Sequence, residues 1–285
     1  MDFLLSFLNS MPGAVGQGLA WGVMAIGVYI TYRILDVADL TVDGSLATGG
    51  AVCALLISMG ANPWLAMLTA LLAGMLAGLA TGLFHTVCGI PAILSGILTQ
   101  LALYSINLRI MAIGDESAKT KNSLAISVDR HDLLVSSRNI RKLTPENPIL
   151  LLVVLVVVVI AVLYWFFGTE QGSALRATGS NGNMARAQGI NTNVSKVLGL
   201  VVSNGLVALA GALLAQYQGS ATVDMGRGAI VIGLAAVIIG EVLLSGVFRN
   251  FALKLLACVI GAIIYYGLIT LVLRLGLETT DLKLL

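Results

Sequence analysis

The run ILLLVVLVVVVIAVLYWFF, residues 149–167, decides the fold class of this chain. It contains no charged residue, and its length matches the roughly 20 apolar residues that a helix needs to cross a bilayer. Seven other stretches are mostly apolar, at 14–32, 46–60, 64–84, 92–113, 197–217, 228–244 and 251–273. The sequence therefore predicts an all-α integral membrane protein with about eight transmembrane segments, organised as one domain over residues 1–285.

The composition excludes several classes of protein. Hydrophobic residues make up 58% of the chain and charged residues only 11%, whereas soluble domains typically carry about 25% charged residues. The net charge of +2 is too small to indicate a nucleic-acid partner. The three cysteines lie in apolar stretches without a C-x-x-C pair, so neither a disulfide framework nor a zinc site is expected. No other metal site and no cofactor are predicted.

Two of the predicted spans, 46–60 and 228–244, are short and interrupted by glycine. Short or broken helices of this kind are typical of transporters. The motif TVDG at 41–44 is echoed by TVDMG at 222–226, and each copy precedes one of the short spans. This echo predicts an inverted repeat. Residues 281–285 turn apolar again, as at the entry to a final helix that this sequence lacks.

Two polar stretches are long enough to lie outside the membrane. Residues 114–148 are nearly neutral, whereas residues 168–193 carry Arg176 and Arg186 against a single acid, Glu170. The positive-inside rule therefore predicts that 168–193 is a cytoplasmic loop and 114–148 an external loop. The composition of 168–193 favours two short helical pieces, 174–178 and 183–188, capped by Gly189, and it lacks the G-x-x-x-x-G-K-[ST] motif of a phosphate-binding loop.

Polar residues within the apolar segments are candidates for a solute pathway. A charge inside the membrane costs free energy, so a residue of this kind is by default a candidate for a functional role. Near the second span, Gly44 is expected to let the backbone unwind and restart at Ser45, with amide groups facing a ligand. Alternatively, Asp36, Asp39 and Asp43 belong to a cytoplasmic loop in which Ser45 is the N-cap. Glu241 is either a structural hydrogen-bonding group or a substrate contact. The candidate pathway residues are Asp39, Thr41, Asp43, Ser45, Tyr104, Asn107, Asn204 and Glu241.

Several motifs resemble one transporter superfamily. The run LRATG at 175–179, with Asn181, Ala185 and Gly189, is similar to the coupling segment of ABC-importer permeases of the branched-chain amino acid and ribose type. The runs DLTVDGS at 39–45 and LYSINLRIM at 103–111 resemble a narrower bacterial subfamily that accompanies a lipoprotein-type binding protein, some members of which are assigned to tryptophan or tyrosine uptake.

This resemblance implies a homodimeric permease in the bacterial inner or plasma membrane. It implies an external substrate-binding lipoprotein, a small polar substrate such as an aromatic amino acid, and ATP hydrolysis in a separate ATPase subunit, so that this chain is not itself an enzyme. The residues that would contact the ATPase are Arg176, Ala177, Thr178, Gly179, Asn181, Ala185, Arg186 and Gly189.

The alternative hypothesis is an ion-coupled secondary transporter in which Asp39, Asp43 and Glu241 bind H⁺ or Na⁺. An intramembrane enzyme is disfavoured, because the sequence has only two histidines and neither an H-E-x-x-H nor a G-x-S-x-G motif.

Overall fold

A computed structural model describes residues 2–114, 119–126, 133–137, 147–244 and 250–274. Its elements in chain order are α1 (Asp2–Tyr29) with a π-helical turn (Ile30–Ile34), α2 (Thr41–Ser58), α3 (Pro63–Thr86), α4 (Ala92–Ile110), β1 (Ser123–Ala125), α5 (Pro148–Gly168), α6 (Glu170–Ser180), α7 (Gly182–Ala187), α8 (Thr192–Gln218), β2 (Ser220–Thr222), a 3-10 turn (Val223–Gly226), α9 (Ala229–Leu244) and α10 (Phe251–Arg274).

Eight helical segments in these described ranges are long and apolar enough to cross a membrane. Each overlaps one of the eight predicted spans, so the prediction of an all-α integral membrane protein is confirmed. The segments are Ser10–Ile34, Thr41–Ser58, Pro63–Thr86, Ala92–Ile110, Pro148–Gly168, Thr192–Gln218, Val223–Leu244 and Phe251–Leu273. The predicted entry to a further helix at 281–285 lies outside the described residues.

The start of the second span differs from the prediction. α2 begins at Thr41, and Ser45 lies inside the helix, so neither a restart at Ser45 nor an N-cap there is correct. The helix starts early because the Asp39 carboxylate accepts a hydrogen bond from the Thr41 N–H at 2.9 Å. The irregular connection lies before it, where Asp36 takes a left-handed φ of 54°.

The glycines of α2 serve packing rather than unwinding. Gly49 lies so close to the backbone of Ala208 on α8 that an added Cβ would collide with the Ala208 carbonyl. Gly74 and Gly78 on α3 make similar approaches to Asn204 and Leu200. Small residues let membrane helices approach closely, and here they join α2 and α3 to α8 at the centre of the bundle.

Contacts along the helices fix their relative directions. α1 runs antiparallel to α8, since Gly16 lies beside Tyr217 and Gly27 beside Ser203. α2 runs parallel to α8, because Gly49 lies beside Ala208 and the later residue Cys53 lies beside the later residue Gln216. α9 runs parallel to α1: Gly233 near its start packs on Val28, and Glu241 near its end pairs with Arg33.

The helices of the two spans that were predicted to be short, α2 with 18 residues and α9 with 16 described residues, therefore point in opposite directions. Their first turns lie side by side, where Gly226 packs against the Asp43 carbonyl, close to the level of the middle of α8. Both echoed motifs belong to this junction, an arrangement consistent with the predicted inverted repeat, which stays a prediction.

The two polar stretches occupy opposite ends of α8. β1 pairs antiparallel with β2, just after the end of α8, in the register Ser123↔Thr222, and the Ile126 N–H donates to the Gly219 carbonyl at 2.8 Å. α6 and α7 lie at the other end, directly before α8. The short ribbon is a small departure from an all-α chain.

Candidate functional site

A cavity of about 330 Å³ lies between α2, α4 and the connection that leads into α9. The predicted pathway residues Asp43, Tyr104 and Asn107 line it, together with Gly44, Ala47, Gln100, Leu101, Val223 and Arg227. Its volume falls at the lower end of the range of small-molecule sites, about 300–1,000 Å³. The connection into α9 follows the β1–β2 ribbon, so the cavity lies toward the ribbon end of the bundle.

Asp43 ties two walls of this cavity together. Its carboxylate accepts hydrogen bonds from the N–H groups of Gly228 at 3.1 Å and Ile230 at 3.0 Å, at the first turn of α9. Asp43 also lies in the first turn of α2, so its negative charge faces the positive ends of two helix dipoles. Asp43 therefore holds α2 and α9 together where they begin.

Asn107 is the most unusual residue of the cavity wall. It is 0% exposed, and neither its side-chain oxygen nor its nitrogen has a hydrogen-bond partner among the described residues. A buried polar group left unpaired costs about 1–3 kcal/mol. Tyr104 and Gln100 lie on the same helical face, three and seven residues earlier, so three polar side chains line one side of the cavity.

Four other predicted pathway residues form a closed, buried network instead. The Asn204 amide donates to the Asp39 carboxylate at 2.7 Å and accepts from the Ser45 hydroxyl at 2.6 Å. The Thr41 and Thr81 hydroxyl oxygens lie 2.7 Å apart. The Asp39 carboxyl group lies between the first two spans, and burial raises its pKa above the ordinary value. The hydrogen bonds from Thr41 oppose this shift without reversing it. This network joins α2, α3 and α8, and its residues are absent from the lining of the cavity.

Glu241 is placed at a third location, on α9, where its carboxylate pairs with the Arg33 guanidinium at 3.2 Å. Asp43 reaches Ile230, eleven residues earlier on the same helix and therefore about 16 Å away along its axis. In the described part of the chain, no cluster of three or more histidine, cysteine or acidic side chains is arranged to hold a metal ion. The three acids of the ion-coupled hypothesis are thus not assembled into one site.

The segment predicted to couple to an ATPase folds as two helices, α6 and α7, in agreement with the two predicted helical pieces. α6 is longer than predicted because the Thr169 hydroxyl caps it. Gly189 takes a left-handed φ of 82° after α7, as expected for its capping position. The Asn181 side chain accepts from the Met184 N–H at 3.0 Å and so begins α7.

α6 is attached to the membrane helices at several points. The Arg176 guanidinium donates to the Phe167 carbonyl at 2.7 Å and lies 5.9 Å from the centre of the Phe251 ring. Gly179 approaches the Ile34 carbonyl so closely that no Cβ fits between them. Arg176 and Gly179 therefore join α6 to α5, α10 and the π-helical turn after α1.

The remaining residues predicted for this segment divide by exposure. Thr178 and Ala185 are buried, Ala177 is half-buried, and Arg186 donates to the Thr192 hydroxyl at 2.7 Å. Sequence reasoning missed Met184, which is 62% exposed on α7 and is the largest apolar side chain that this loop presents to its surroundings. It also missed two residues of the cavity, Gln100 and Arg227. Gln100 lies in the mostly apolar sequence of α4, and Arg227 lies in the turn before α9, so neither position gave a signal.

The fold and this cavity define a multi-pass membrane protein with a solute-sized cavity that both polar and apolar residues line. The chain belongs to the family described as "Branched-chain amino acid transport system / permease component", whose profile matches residues 11–285. The predicted superfamily is thereby confirmed, and the chain is a permease of an ABC-type transport system in a bacterial membrane. Family membership indicates a transporter component rather than an enzyme.

Two curated proteins and one solved structure are similar to this chain. The chain is 39% identical to a "Tyrosine transport system permease protein" of Clostridioides difficile over 98% of this chain and 88% of the relative. It is 33% identical to an uncharacterized protein of Rickettsia prowazekii, over 98% of this chain and 94% of that protein. The structure of PsaBC from Streptococcus pneumoniae in complex with Fab shares 17% identity over 95% of this chain and 91% of that chain; its TM-score of 0.42 is too low to inform function.

Proposed function

We propose that the chain is the membrane subunit of an ATP-driven importer for a small polar solute, and that this solute is an aromatic amino acid. The observation that carries this proposal is the attachment of α6 to the membrane helices: Gly179 packs on the turn that ends the first span, and Arg176 bonds to the end of α5. A loop anchored in this way can pass the movement of a partner to the bundle. The printed name of the Clostridioides difficile relative supports tyrosine as the substrate.

The ATPase subunit binds at α7 in this proposal. Asn181 and Gly189 delimit the helix, and Met184 projects from it as an exposed apolar side chain. A short helix with one protruding apolar residue fits a groove on a partner protein. The end of the bundle with α6 and α7 is then cytoplasmic, as the positive-inside rule predicts.

The opposite end carries the β1–β2 ribbon and is the side where an external binding protein would dock. The loop that contains β1 is held there by several bonds, including the donation from the Leu134 N–H to the Gln216 side-chain oxygen at 3.3 Å. The cavity lies toward this end, where a solute released by the binding protein would enter. A second copy of the chain completes the proposed assembly.

The ion-coupled alternative has less support. Asp39 is closed in a hydrogen-bonded network, Asp43 bonds to the start of α9, and Glu241 pairs with Arg33. An ion site needs several oxygen ligands at one point, and these three carboxylates lie at separate points.

Retention of the ATPase subunit after mild solubilisation tests the proposal. The wild-type chain is expected to co-purify with an ATP-hydrolysing partner, and Met184→Glu is expected to lose it, because a charge replaces the apolar contact. Met59→Glu is the matched control, since Met59 is similarly exposed, at 58%, at the opposite end of the bundle. If no ATPase accompanies the wild-type chain, or if Met184→Glu retains it fully, the proposed docking is wrong.

A further inference from the structure

The buried Asn107 side chain has an amide group without a hydrogen-bond partner among the described residues. Among the described residues, the Asn107 amide and the Trp21 indole nitrogen are the buried side-chain polar groups without a partner. Unpaired groups of this kind are rare in native proteins and call for an explanation, such as a ligand. Trp21 stacks on the ring of Tyr266, away from the cavity, whereas Asn107 lines the cavity. Asn107 therefore has no partner from the described part of the protein at the wall of the cavity, and because its two amide atoms are buried, its side chain must turn toward the cavity to contact a ligand.

Two charged groups share the cavity with Asn107. Arg227 uses its Nε to bond Asp224 at 2.9 Å, and a guanidinium has further N–H donors on its two terminal nitrogens. Asp43 accepts two backbone hydrogen bonds, and a carboxylate has about four acceptor positions. One positive and one negative group can therefore each bind a ligand group of opposite charge.

The charge balance narrows the class of ligand. A dianion in the cavity would be repelled by the Asp43 carboxylate, and a dication would be repelled by the Arg227 guanidinium, because like charges would lie close together. A zwitterion matches both groups, because a carboxylate forms a bidentate pair with arginine and an ammonium group donates to Asp43. The neutral Asn107 amide is left for an uncharged polar group of the ligand, to which it can donate and from which it can accept.

We propose that the cavity between α2, α4 and the start of α9 binds a zwitterionic amino acid, with Arg227 holding its carboxylate, Asp43 its ammonium group and Asn107 a hydroxyl or other uncharged polar group. This inference rests on the proposed function and adds the residues and the ligand groups that they select. The cavity volume of about 330 Å³ has room for one amino acid.

The test measures binding to the purified full chain in lipid nanodiscs, by thermal shift with each of the twenty L-amino acids and by titration of the best one. L-tyrosine is the expected probe. Tyramine, which lacks the carboxylate, and 3-(4-hydroxyphenyl)propionic acid, which lacks the ammonium group, are expected to bind about tenfold or more weakly. L-phenylalanine lacks the hydroxyl group and is expected to be insensitive to changes at Asn107. If none of the twenty amino acids shifts the unfolding temperature, the site proposal is overturned.

Variants separate binding from folding. Arg227→Gln is expected to weaken tyrosine binding about tenfold or more, whereas Arg109→Gln is expected to leave it unchanged. Arg109 lies on α4 two residues after Asn107 and on a different face, outside the cavity. Asn107→Leu is expected to lose tyrosine binding while keeping or raising the unfolding temperature, because an apolar side chain replaces an unpaired amide. A lowered unfolding temperature with unchanged binding would make Asn107 a structural residue and refute its assigned role.

Uptake by the complex with its ATPase distinguishes the two proposals. If the wild-type complex transports tyrosine with ATP while Asn107→Leu and Arg227→Gln keep the wild-type KM, the importer stands and the binding site is wrong. If the chain binds amino acids with the predicted pattern but no ATPase associates with it, the binding site stands and the importer is wrong.

Discussion

Asp43 joins the first turns of two oppositely directed helices, and its replacement gives a quantitative test of this junction. Asp43→Ala removes the acceptors for the N–H groups of Gly228 and Ile230. A hydrogen bond to a charged group contributes about 1.5–3 kcal/mol, but the bond to Gly228 is exposed, so the lower end applies there. Loss of a helix N-cap costs about 0.5–2 kcal/mol in other proteins. We expect Asp43→Ala to destabilise the chain by about 2–3 kcal/mol, or about 30- to 150-fold in the unfolding equilibrium.

Asp43→Asn keeps one acceptor oxygen and removes the charge, so its expected cost is about 1 kcal/mol. The assay is denaturant unfolding in detergent, combined with hydrogen exchange at residues 228–232. Asp224→Ala is the matched control: its carboxylate forms an exposed pair with Arg227, and exposed pairs contribute about 0–1 kcal/mol. Unchanged stability of Asp43→Ala, with unchanged exchange at the start of α9, would refute the role assigned to Asp43.

Three other substitutions test separate parts of the structure. Gly49→Leu places a side chain against the Ala208 backbone and is expected to abolish folding of the bundle, measured as loss of the monodisperse species in detergent. Gly179→Ala is expected to separate ATP hydrolysis from uptake in the assembled transporter, because a Cβ displaces α6 from the first span; Gly168→Ala, where a Cβ meets open space, is the control, and full uptake by the former would contradict the coupling role. Glu241→Gln is expected to change stability by less than about 1 kcal/mol and to leave uptake intact, because the pair with Arg33 is partly exposed; abolished uptake would favour an ion-coupled transporter.

The membrane spans were predictable because bilayer thickness and the cost of buried charge act on short stretches of sequence. Even the two spans predicted to be short were located from their apolar character, although the structure gives them 18 and 22 residues. The role of their glycines in helix packing could not be predicted, because the partner of Gly49 is Ala208, which is distant in the sequence. The start of α2 was placed wrongly for a related reason: Asp39, which begins the helix at Thr41, is itself held by Asn204 on α8.

The polar residues show the same division. The three-residue spacing of Tyr104 and Asn107 was enough to predict that they share one face of a helix, and both line the cavity. Arg227 follows a turn that the sequence presents as an ordinary connection, and it reaches the cavity only because that turn packs against Asp43. Glu241 was recognised as a costly charge in an apolar segment, but its partner Arg33 belongs to another span. Pairings between distant segments are therefore the part that local sequence patterns do not specify.

ATP-dependent uptake by reconstituted protein tests the central claim most directly. The chain is placed in proteoliposomes with its co-purified ATPase and the external binding protein, and accumulation of labelled L-tyrosine is measured with ATP on the ATPase side. Ionophores that collapse H⁺ and Na⁺ gradients are present throughout. The proposed function predicts accumulation that requires ATP and persists with the ionophores. Accumulation by the chain alone, driven by an ion gradient and abolished by the ionophores, would contradict it.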